Sequence, residues 1–524
     1  MHSIPVARSR STSPTAAGRR PVSGAVIVAA LALAAVLAHL AVAGRYGYFR
    51  DELYYLAAGH HLQLAYVDFP VLIAAVAWML EHLGLDSLTA IHVLPALASG
   101  GLVVMTGLIA RELGGDRWAQ ALAATASLVC LTFLATGSIF SMDVWDELWW
   151  TVIAYLIVRL MLRDRPRLWL AVGLVAGLGL LTKLTILFFL GALGVGLVAS
   201  PARRQLRTRW PWLGAGVAAL FLVPTLVWEA QHSWATFAYW QAYTATLASH
   251  SPLGFAAQQA YTMNPATVPL WLVGVVALVR GRSGGGLQLL GWAFCLLFVV
   301  FSVTSSKSYY LAPAYPMLFA AGSVRVAARL EHGARRWLRP GLLGLLLASG
   351  AVLAPVAMPI LSPPVYAQLY GFLGTDGGAQ IQRGDAAILP QWLADRFGWW
   401  HLARVVGAVA RGLPAAQRRD ACIFAANYGE AAALDQFGPA LGLPPAISGS
   451  NSFYFWGKGD CSGATVLLVG VSRPAAHRAF RSITAGAVSR CRYCMPQEDG
   501  VTILVAHAPR RSMAALWPST EALG

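Results

Sequence analysis

Long apolar runs alternate with clusters of basic residues along the first 360 residues of this 524-residue chain. A run of about 20 apolar residues can cross a bilayer as a helix. The chain is 57% hydrophobic and only 12% charged, whereas soluble proteins are about 25% charged. The sequence therefore predicts a polytopic α-helical membrane protein and argues against a soluble globular one.

The basic clusters lie in every second loop between the apolar runs. They are Arg8/Arg10/Arg19/Arg20, Arg111/Arg117, Arg163/Arg165/Arg167, Arg203/Arg204/Arg207/Arg209, Arg280/Arg282 and Arg325/Arg329/Arg335/Arg336/Arg339. The positive-inside rule makes these loops cytoplasmic. The net charge of +16 is then mostly a signal of topology, and nucleic acid is not an expected partner.

About eleven spans fit this alternation. They are predicted at residues 22–43, 88–110, 118–136, 147–162, 168–182, 184–200, 212–229, 265–280, 287–304, 308–326 and 340–360. Residues 1–21 are predicted to be a disordered cytoplasmic tail. The first span ends in a small-residue pattern that a signal peptide would also show, but its length favours an uncleaved anchor. Residues 168–200 could alternatively form one tilted helix, which would reverse the side of every later loop.

After residue 360 the long apolar runs give way to a sequence with more Gly, Pro and scattered charge. This change predicts two domains, a transmembrane domain at 22–360 and a small α/β domain at 361–524. Strands are expected at 465–469 and 501–505, with a helix near 474–485. An odd number of spans places this domain outside the cytoplasm.

Four cysteines of the second domain could be oxidised outside the cytoplasm: Cys422, Cys461, Cys491 and Cys494. Their pairing stays open. The Cys491-Arg-Tyr-Cys494 spacing is also that of a redox or zinc pair, but a single pair is a weak signal, and a structural disulfide or a Cys422–Cys461 pair is favoured.

Four polar features fall on the predicted outer side. They are Arg50-Asp51-Glu52, the acids Asp143, Asp146 and Glu147, Lys183 inside an apolar run, and the segment from Ser305 to Tyr310. Each has a structural alternative: helix capping or solvation for the acids, snorkelling for the lysine, and an interfacial aromatic belt for the tyrosines. An ionisable group within a membrane segment is nevertheless a functional candidate.

A carboxylate outside the membrane beside cations at its edge suits sugar transfer from a lipid-linked phosphate. The cations offset the charge of the departing phosphate, and the carboxylate takes the proton of the attacking hydroxyl. We find no glycine-rich phosphate loop of the Walker type in the sequence. The rival interpretations are a transporter or flippase for a lipid-linked sugar and a membrane-anchored scaffold.

An ordered series of motifs resembles a known family. They are Tyr46-Gly-Tyr-Phe-Arg-Asp-Glu-Leu-Tyr-Tyr-Leu56, Ala65-Tyr-Val-Asp-Phe-Pro70, Leu180-Leu-Thr-Lys-Leu-Thr185, Met263-Asn-Pro265, Lys307-Ser-Tyr-Tyr-Leu-Ala-Pro313 and Asn427-Tyr-Gly-Glu-Ala431. The chain is similar along nearly its whole length to the family 39 lipid-phosphate-sugar glycosyltransferases, which include protein mannosyltransferases and aminoarabinose transferases. The resemblance implies a GT-C-type transmembrane bundle with a small extracytoplasmic C-terminal α/β domain.

The resemblance also implies roles for single residues. Asp51 would be the catalytic base, Glu52 its support, and either Asp143 or Asp146 the second outer acid. The donor phosphate would meet Lys183, Lys307 and Tyr310, with Arg50 a weaker candidate. This chain has Phe69-Pro70-Val71 where relatives commonly have Gln-Pro-Pro, so the acceptor pocket is not carried over.

The predicted activity is therefore that of an inverting glycosyltransferase in the plasma membrane, with a cytoplasmic N-terminus. Its expected partners are a polyprenyl-phosphate sugar, a cell-envelope acceptor (lipid, glycan or protein) and membrane lipids. No cofactor is expected to be required, and a divalent metal at Asp51, Glu52 and Asp143 is the alternative. The sugar and the prenyl length are left open.

Overall fold

The computed structural model describes residues 23–246, 250–281, 286–304, 306–331, 336–372 and 387–523. The predicted tail at 1–21 lies outside these ranges. Within them the chain is mostly helical, as the apolar runs predicted.

The transmembrane part follows the predicted order of apolar segments. Its helices are α1 (Gly24–Leu40), α2 (Arg50–His60), α3 (Leu72–His82), α4 (Leu88–Ile91), α5 (Val93–Glu112), α6 (Arg117–Leu128), α7 (Leu131–Thr136), α8 (Met142–Arg163), α9 (Leu168–Thr182), α10 (Ile186–Ala199), α11 (Trp210–Gln231), α12 (Ala235–Thr246), α13 (Pro252–Thr262), α14 (Val268–Val279), α15 (Gln288–Val303), α16 (Tyr315–Arg329) and α17 (Leu338–Ala357). Short 3₁₀ turns occur at Pro201–Arg207, Pro265–Thr267 and Ser308–Ala314.

Each of the eleven predicted spans contains helix, and the segment 168–200 is two helices rather than one. The break falls at Lys183, whose backbone is extended while its N–H still bonds to the Gly179 carbonyl at 2.8 Å. The predicted span at 118–136 is interrupted between α6 and α7. Helix formation is thus confirmed, while the number of crossings stays a prediction.

Three helices among the described residues are individually long and apolar enough to cross a membrane: Leu88–Glu112, Trp210–Gln231 and Leu338–Ala357. Two bent pairs raise this number to five if each is one span: Ile186–Ala199 with Pro201–Arg207, and Pro252–Thr262 with Pro265–Val279. Shorter apolar helices, including α1, α9 and α15, lie among them.

Glycines bring pairs of these helices into backbone contact. A Cβ atom on Gly173 of α9 would lie 2.1 Å from the Gly214 carbonyl oxygen of α11. A Cβ on Gly274 of α14 would lie 2.1 Å from the Leu318 carbonyl oxygen of α16. Small residues allow this close approach, which is the usual packing mode of helices in lipid.

The C-terminal part is a small α/β unit. Its helices are α18 (Pro363–Phe372), α19 (Gln391–Ala394), α20 (Trp399–Gly412), α21 (Ala415–Arg419), α22 (Tyr428–Phe437), α23 (Ser452–Trp456), α24 (Arg473–Ala479) and α25 (Met513–Leu516), with 3₁₀ turns at Pro439–Leu441, Pro496–Glu498 and Trp517–Thr520. Its strands are β1 (Ala421–Ala425), β2 (Ala446–Ser448), β3 (Thr465–Val469), β4 (Phe480–Ser489) and β5 (Val501–Pro509).

The five strands form one mixed sheet in the order β2-β1-β3-β5-β4. Strand β1 runs parallel to β2 and β3, and β5 runs antiparallel to β3 and β4. The strands predicted at 465–469 and 501–505 are confirmed. The helix predicted near 474–485 is wrong beyond Ala479, because residues from Phe480 onward pair with β5 instead.

A disulfide joins Cys422 of β1 to Cys461, which is one of the pairings that the sequence left open. Cys491 and Cys494 are both free thiols. The Cys494 thiol donates to the Cys491 carbonyl oxygen at 3.0 Å. The structure thus contains one disulfide among the described residues.

Helices α2 and α3 share one hydrophobic core with the C-terminal unit. Leu53 and Leu56 of α2 are buried in the same cluster as Leu402 of α20, Leu434 of α22 and Ile503 of β5. Helix α2 therefore packs against residues more than 300 positions later in the chain. This packing fixes the side chains at the start of α2 against the C-terminal unit.

Candidate active site

A cavity of about 540 Å³ lies where the start of α2, the ends of several transmembrane helices and the C-terminal unit meet. Six of the eight predicted site residues line it: Arg50, Asp51, Asp143, Lys183, Lys307 and Tyr310. Glu52 and Asp146 do not. The structure thus brings together most of the side chains that the sequence singled out.

Asp51 occupies the first turn of α2 and faces this cavity. Its Oδ1 accepts a hydrogen bond of 2.9 Å from the Tyr428 hydroxyl and lies 3.7 Å from Arg50 Nε. The side chain is 33% exposed, so it is both held in place and open to a ligand.

Arg50 is held by two acids and one ring. Its Nη2 lies 3.5 Å from Oδ2 of the fully buried Asp395, and its guanidinium lies 5.2 Å from the ring centre of Tyr428. Burial raises the pKa of Asp395, and the neighbouring Arg50 opposes that rise. Arg50 is therefore largely neutralised by the protein itself.

Glu52 points into the protein rather than into the cavity. Its Oε1 accepts from the Phe140 amide at 2.7 Å and lies 2.6 Å from His92 Nε2, and its Oε2 accepts from the Phe49 amide at 2.8 Å. Glu52 therefore does not line the cavity beside Asp51, because adjacent helix positions point about 100° apart. Its supporting role stays a prediction, as a residue that fixes the start of α2.

The side of the cavity that carries Lys183, Lys307 and Tyr310 is called the membrane face. There Asp143 and Lys183 form an ion pair. Lys183 Nζ donates to Asp143 Oδ1 although the residues are 40 positions apart. The lysine side chain is 12% exposed, and its Nζ lies 5.3 and 5.0 Å from the ring centres of Tyr309 and Tyr310. These contacts stabilise a charge that burial would otherwise disfavour.

Asp146 is buried and forms a hydrogen bond next to the break in the helix at Lys183. Its Oδ2 accepts from the Thr185 hydroxyl at 2.8 Å and its Oδ1 from Trp150 Nε1 at 2.8 Å. Asp146 therefore does not line the cavity, whereas Asp143 does, and which of the two is the functional acid stays a prediction. The two positions could not be ranked from spacing alone.

Lys307 lies on the same face as Lys183. Its Nζ is 4.7 Å from the ring centre of Tyr243 and 5.6 Å from that of Tyr309. Tyr310 lines the cavity beside it, within the 3₁₀ turn Ser308–Ala314. Ser305, the first residue of the predicted motif, lies outside the described residues.

Sequence reasoning did not assign a role to Asp68, although it lies within the motif that carried the resemblance. Its Oδ1 accepts from the Tyr54 hydroxyl at 3.1 Å and its Oδ2 from Asn451 Nδ2 at 3.2 Å. Burial and the charge of Asp51 raise the pKa of Asp68 to about 7. The sequence feature that could have identified Asp68 is its position directly before Phe69-Pro70, in a loop predicted to lie on the outer side.

The predicted metal alternative does not match the geometry, because Glu52 is turned away from Asp51 and Asp143. No group of three or more His, Cys, Asp or Glu side chains suited to a metal ion occurs within the parts of the chain that the structure describes. Metal independence stays a prediction.

Comparison with known proteins agrees with the motifs. The family model described as dolichyl-phosphate-mannose-protein mannosyltransferase matches residues 68–228. The lipid A galacturonosyltransferase RgtD of Rhizobium johnstonii is 29% identical over 278 residues, which cover 50% of this chain and 56% of that protein. The match thus spans little more than half the length of this curated relative.

The solved structures extend the likeness to the whole fold. ArnT from Cupriavidus metallidurans bound to undecaprenyl phosphate superposes with a TM-score of 0.56 at 13% identity, over 92% of this chain and 97% of that one. Its apo state gives 0.55 at 16% identity with the same coverage. The predicted resemblance to this glycosyltransferase family is confirmed, and the chain has the ArnT-like GT-C fold with a small C-terminal sheet.

Proposed function

We propose that this protein is an inverting glycosyltransferase of the plasma membrane. It moves a sugar from a polyprenyl phosphate to a cell-envelope acceptor on the outer face. The observation that carries this proposal is that Asp51 lines the same cavity as Lys183 and Lys307. One bound donor and acceptor can therefore contact both the proposed base, Asp51, and the two lysines proposed to bind the phosphate.

The membrane face of the cavity suits a lipid phosphate. Lys183, Lys307 and the Tyr310 hydroxyl offer donors for the phosphate oxygens, and lysine is a common phosphate ligand. Apolar side chains continue the lining, with Phe188 of α10 packed 5.4 Å from Phe301 of α15. Phe188 is 45% exposed, and we propose that the prenyl chain of the donor packs against it.

The reaction is a single displacement. The acceptor hydroxyl oxygen bonds to the anomeric carbon of the sugar while the bond from that carbon to the phosphate oxygen breaks. Asp51 takes the hydroxyl proton, and polyprenyl phosphate leaves with the bonding electron pair, its charge offset by Lys183 and Lys307. Attack from the side opposite the phosphate inverts the configuration of the sugar.

The relatives support both substrates of this reaction. One solved ArnT structure contains undecaprenyl phosphate, as the proposed donor site requires. The name of RgtD gives lipid A as the molecule that it modifies, which favours a lipid or glycan acceptor for this chain as well. Hexosyl and pentosyl donors both satisfy the proposed chemistry.

The proposal is tested by supplying membranes that contain the protein with radiolabelled polyprenyl-phosphate hexoses, pentoses and uronic acids. We expect one donor class to label envelope material, to release polyprenyl phosphate and to give the inverted glycosidic bond. Retained configuration would contradict the mechanism. Labelled donor that crosses the membrane without transfer would favour the transporter or flippase instead.

A further inference from the structure

The cavity has a second face, built by the C-terminal unit, that differs in charge from the membrane face. Of the three cations among the described lining residues, Lys183 pairs with Asp143 and Lys307 contacts tyrosine rings, both at the membrane face, while Arg50 lies between Asp395 and Asp51. The C-terminal face contributes amides, hydroxyls and one acid to the lining, from Asn427, Tyr428, Ser450, Asn451, Gln497 and Glu498.

Glu498 carries an unused hydrogen-bonding atom at this face. The residue is only 6% exposed, and its Oε1 accepts from Asn427 Nδ2 at 3.3 Å. Its buried Oε2 has no hydrogen-bond partner among the described residues. A buried polar atom without a partner is costly and rare in folded proteins, so it points to a ligand atom that completes it.

The surroundings of Glu498 keep it uncharged near neutral pH. Burial and the neighbouring Glu430 raise its pKa to about 8, and the opposing effect of Arg50 is smaller. A protonated carboxyl group can donate one hydrogen bond and accept others, as a sugar hydroxyl requires. A phosphate at this face would instead meet Asp51 with no unpaired cation among the described residues to offset the repulsion.

We infer that the C-terminal face is the acceptor subsite and that it takes an uncharged, hydroxyl-bearing sugar rather than a phosphate group, with Glu498 as a specificity-determining residue. This inference rests on the proposed function. It assigns the two ends of the cavity to different substrates: the charged donor phosphate binds the lysines, and the neutral acceptor binds amide, hydroxyl and carboxyl groups. Asp51 lines the same cavity and contacts the C-terminal face through Tyr428.

The test uses the full chain in membranes and the active donor from the panel above. The acceptors are a lipid A preparation and the same preparation after enzymatic removal of its phosphates. We expect transfer to persist or increase on the dephosphorylated acceptor. Transfer that requires the phosphate would overturn the inference while leaving the proposed function intact. No transfer by the parent protein from any donor would overturn both.

Two variants at Glu498 separate recognition from structure. Glu498→Ala should raise the KM for acceptor about three- to tenfold, the value of one hydrogen bond, and leave the KM for donor unchanged. Glu498→Gln, which is neutral and keeps donor and acceptor capacity, should restore the acceptor KM to within about twofold. An equal loss in both variants, or a raised donor KM, would contradict the inference.

Discussion

Asp51 and Tyr428 are joined by a 2.9 Å hydrogen bond although they are 377 positions apart in the chain. The contact links the first outer helix to the start of α22 in the C-terminal unit, and both residues line the cavity. The candidate base is therefore positioned by the C-terminal unit as well as by its own helix. The C-terminal unit is thus in a position to orient the carboxylate of Asp51.

Removing the Tyr428 hydroxyl should show this dependence. In Tyr428→Phe, the ring and its contact with Arg50 remain, and only the hydrogen bond to Asp51 is lost. We expect kcat to fall about three- to tenfold, since one neutral-to-charged hydrogen bond no longer orients the base. Steady-state kinetics at matched abundance measures this change, and an unchanged kcat would argue against positioning by Tyr428.

Lys307 should act on the donor and not on folding. Its described contacts are with tyrosine rings, so Lys307→Met should preserve the fold while it raises the KM for donor by about tenfold or more, the value of a charge-assisted hydrogen bond. Lys458→Met, in a loop of the C-terminal unit away from the cavity lining, is the matched control. Equal donor KM values in the two variants would remove Lys307 from the donor site.

Glu52 should affect stability more than chemistry. The Glu52→Gln variant presents an amide N–H₂ group to one of the two backbone N–H donors that now bond to the carboxylate. We expect a loss of about 1–3 kcal/mol in the free energy of unfolding, with kcat per folded molecule nearly retained. Thermal unfolding and kinetics on the same preparation distinguish the cases. A large fall in kcat at unchanged stability would make Glu52 catalytic after all.

Glu498, a buried acid near Arg50, should make the stability of the protein depend on pH. Burial and Glu430 raise the pKa of Glu498 from 4.5 to about 8, so the folded protein holds a proton that the unfolded chain releases. The contribution of the Glu498 carboxyl group to the free energy of unfolding is therefore fully present below about pH 4.5 and is lost as the pH rises toward 8. The melting temperature of Glu498→Gln should fall less between pH 5 and pH 8 than that of the parent protein. Parallel curves would refute the shift.

Hydropathy predicted the helices because a span needs a long apolar run, and that pattern is local. The strand β4 was missed in part because its sequence, Phe480–Ser489, is rich in small residues whose pairing is set by β5. Six of the eight residues that local patterns singled out line one cavity, and their roles stay predictions. Glu52 and Asp146 could not be separated from Asp51 and Asp143, because burial depends on partners far away in sequence, such as His92 and Thr185.

The most direct measurement is the transfer rate of Asp51→Asn against the parent protein and against Asp420→Asn, an exposed aspartate of the C-terminal unit. The asparagine side chain keeps the shape of Asp51 but takes no proton. We predict a fall in kcat of about 10²-fold or more for Asp51→Asn at equal abundance, with the control unchanged. Equal transfer by all three proteins would contradict Asp51 as the base and direct attention to Asp143.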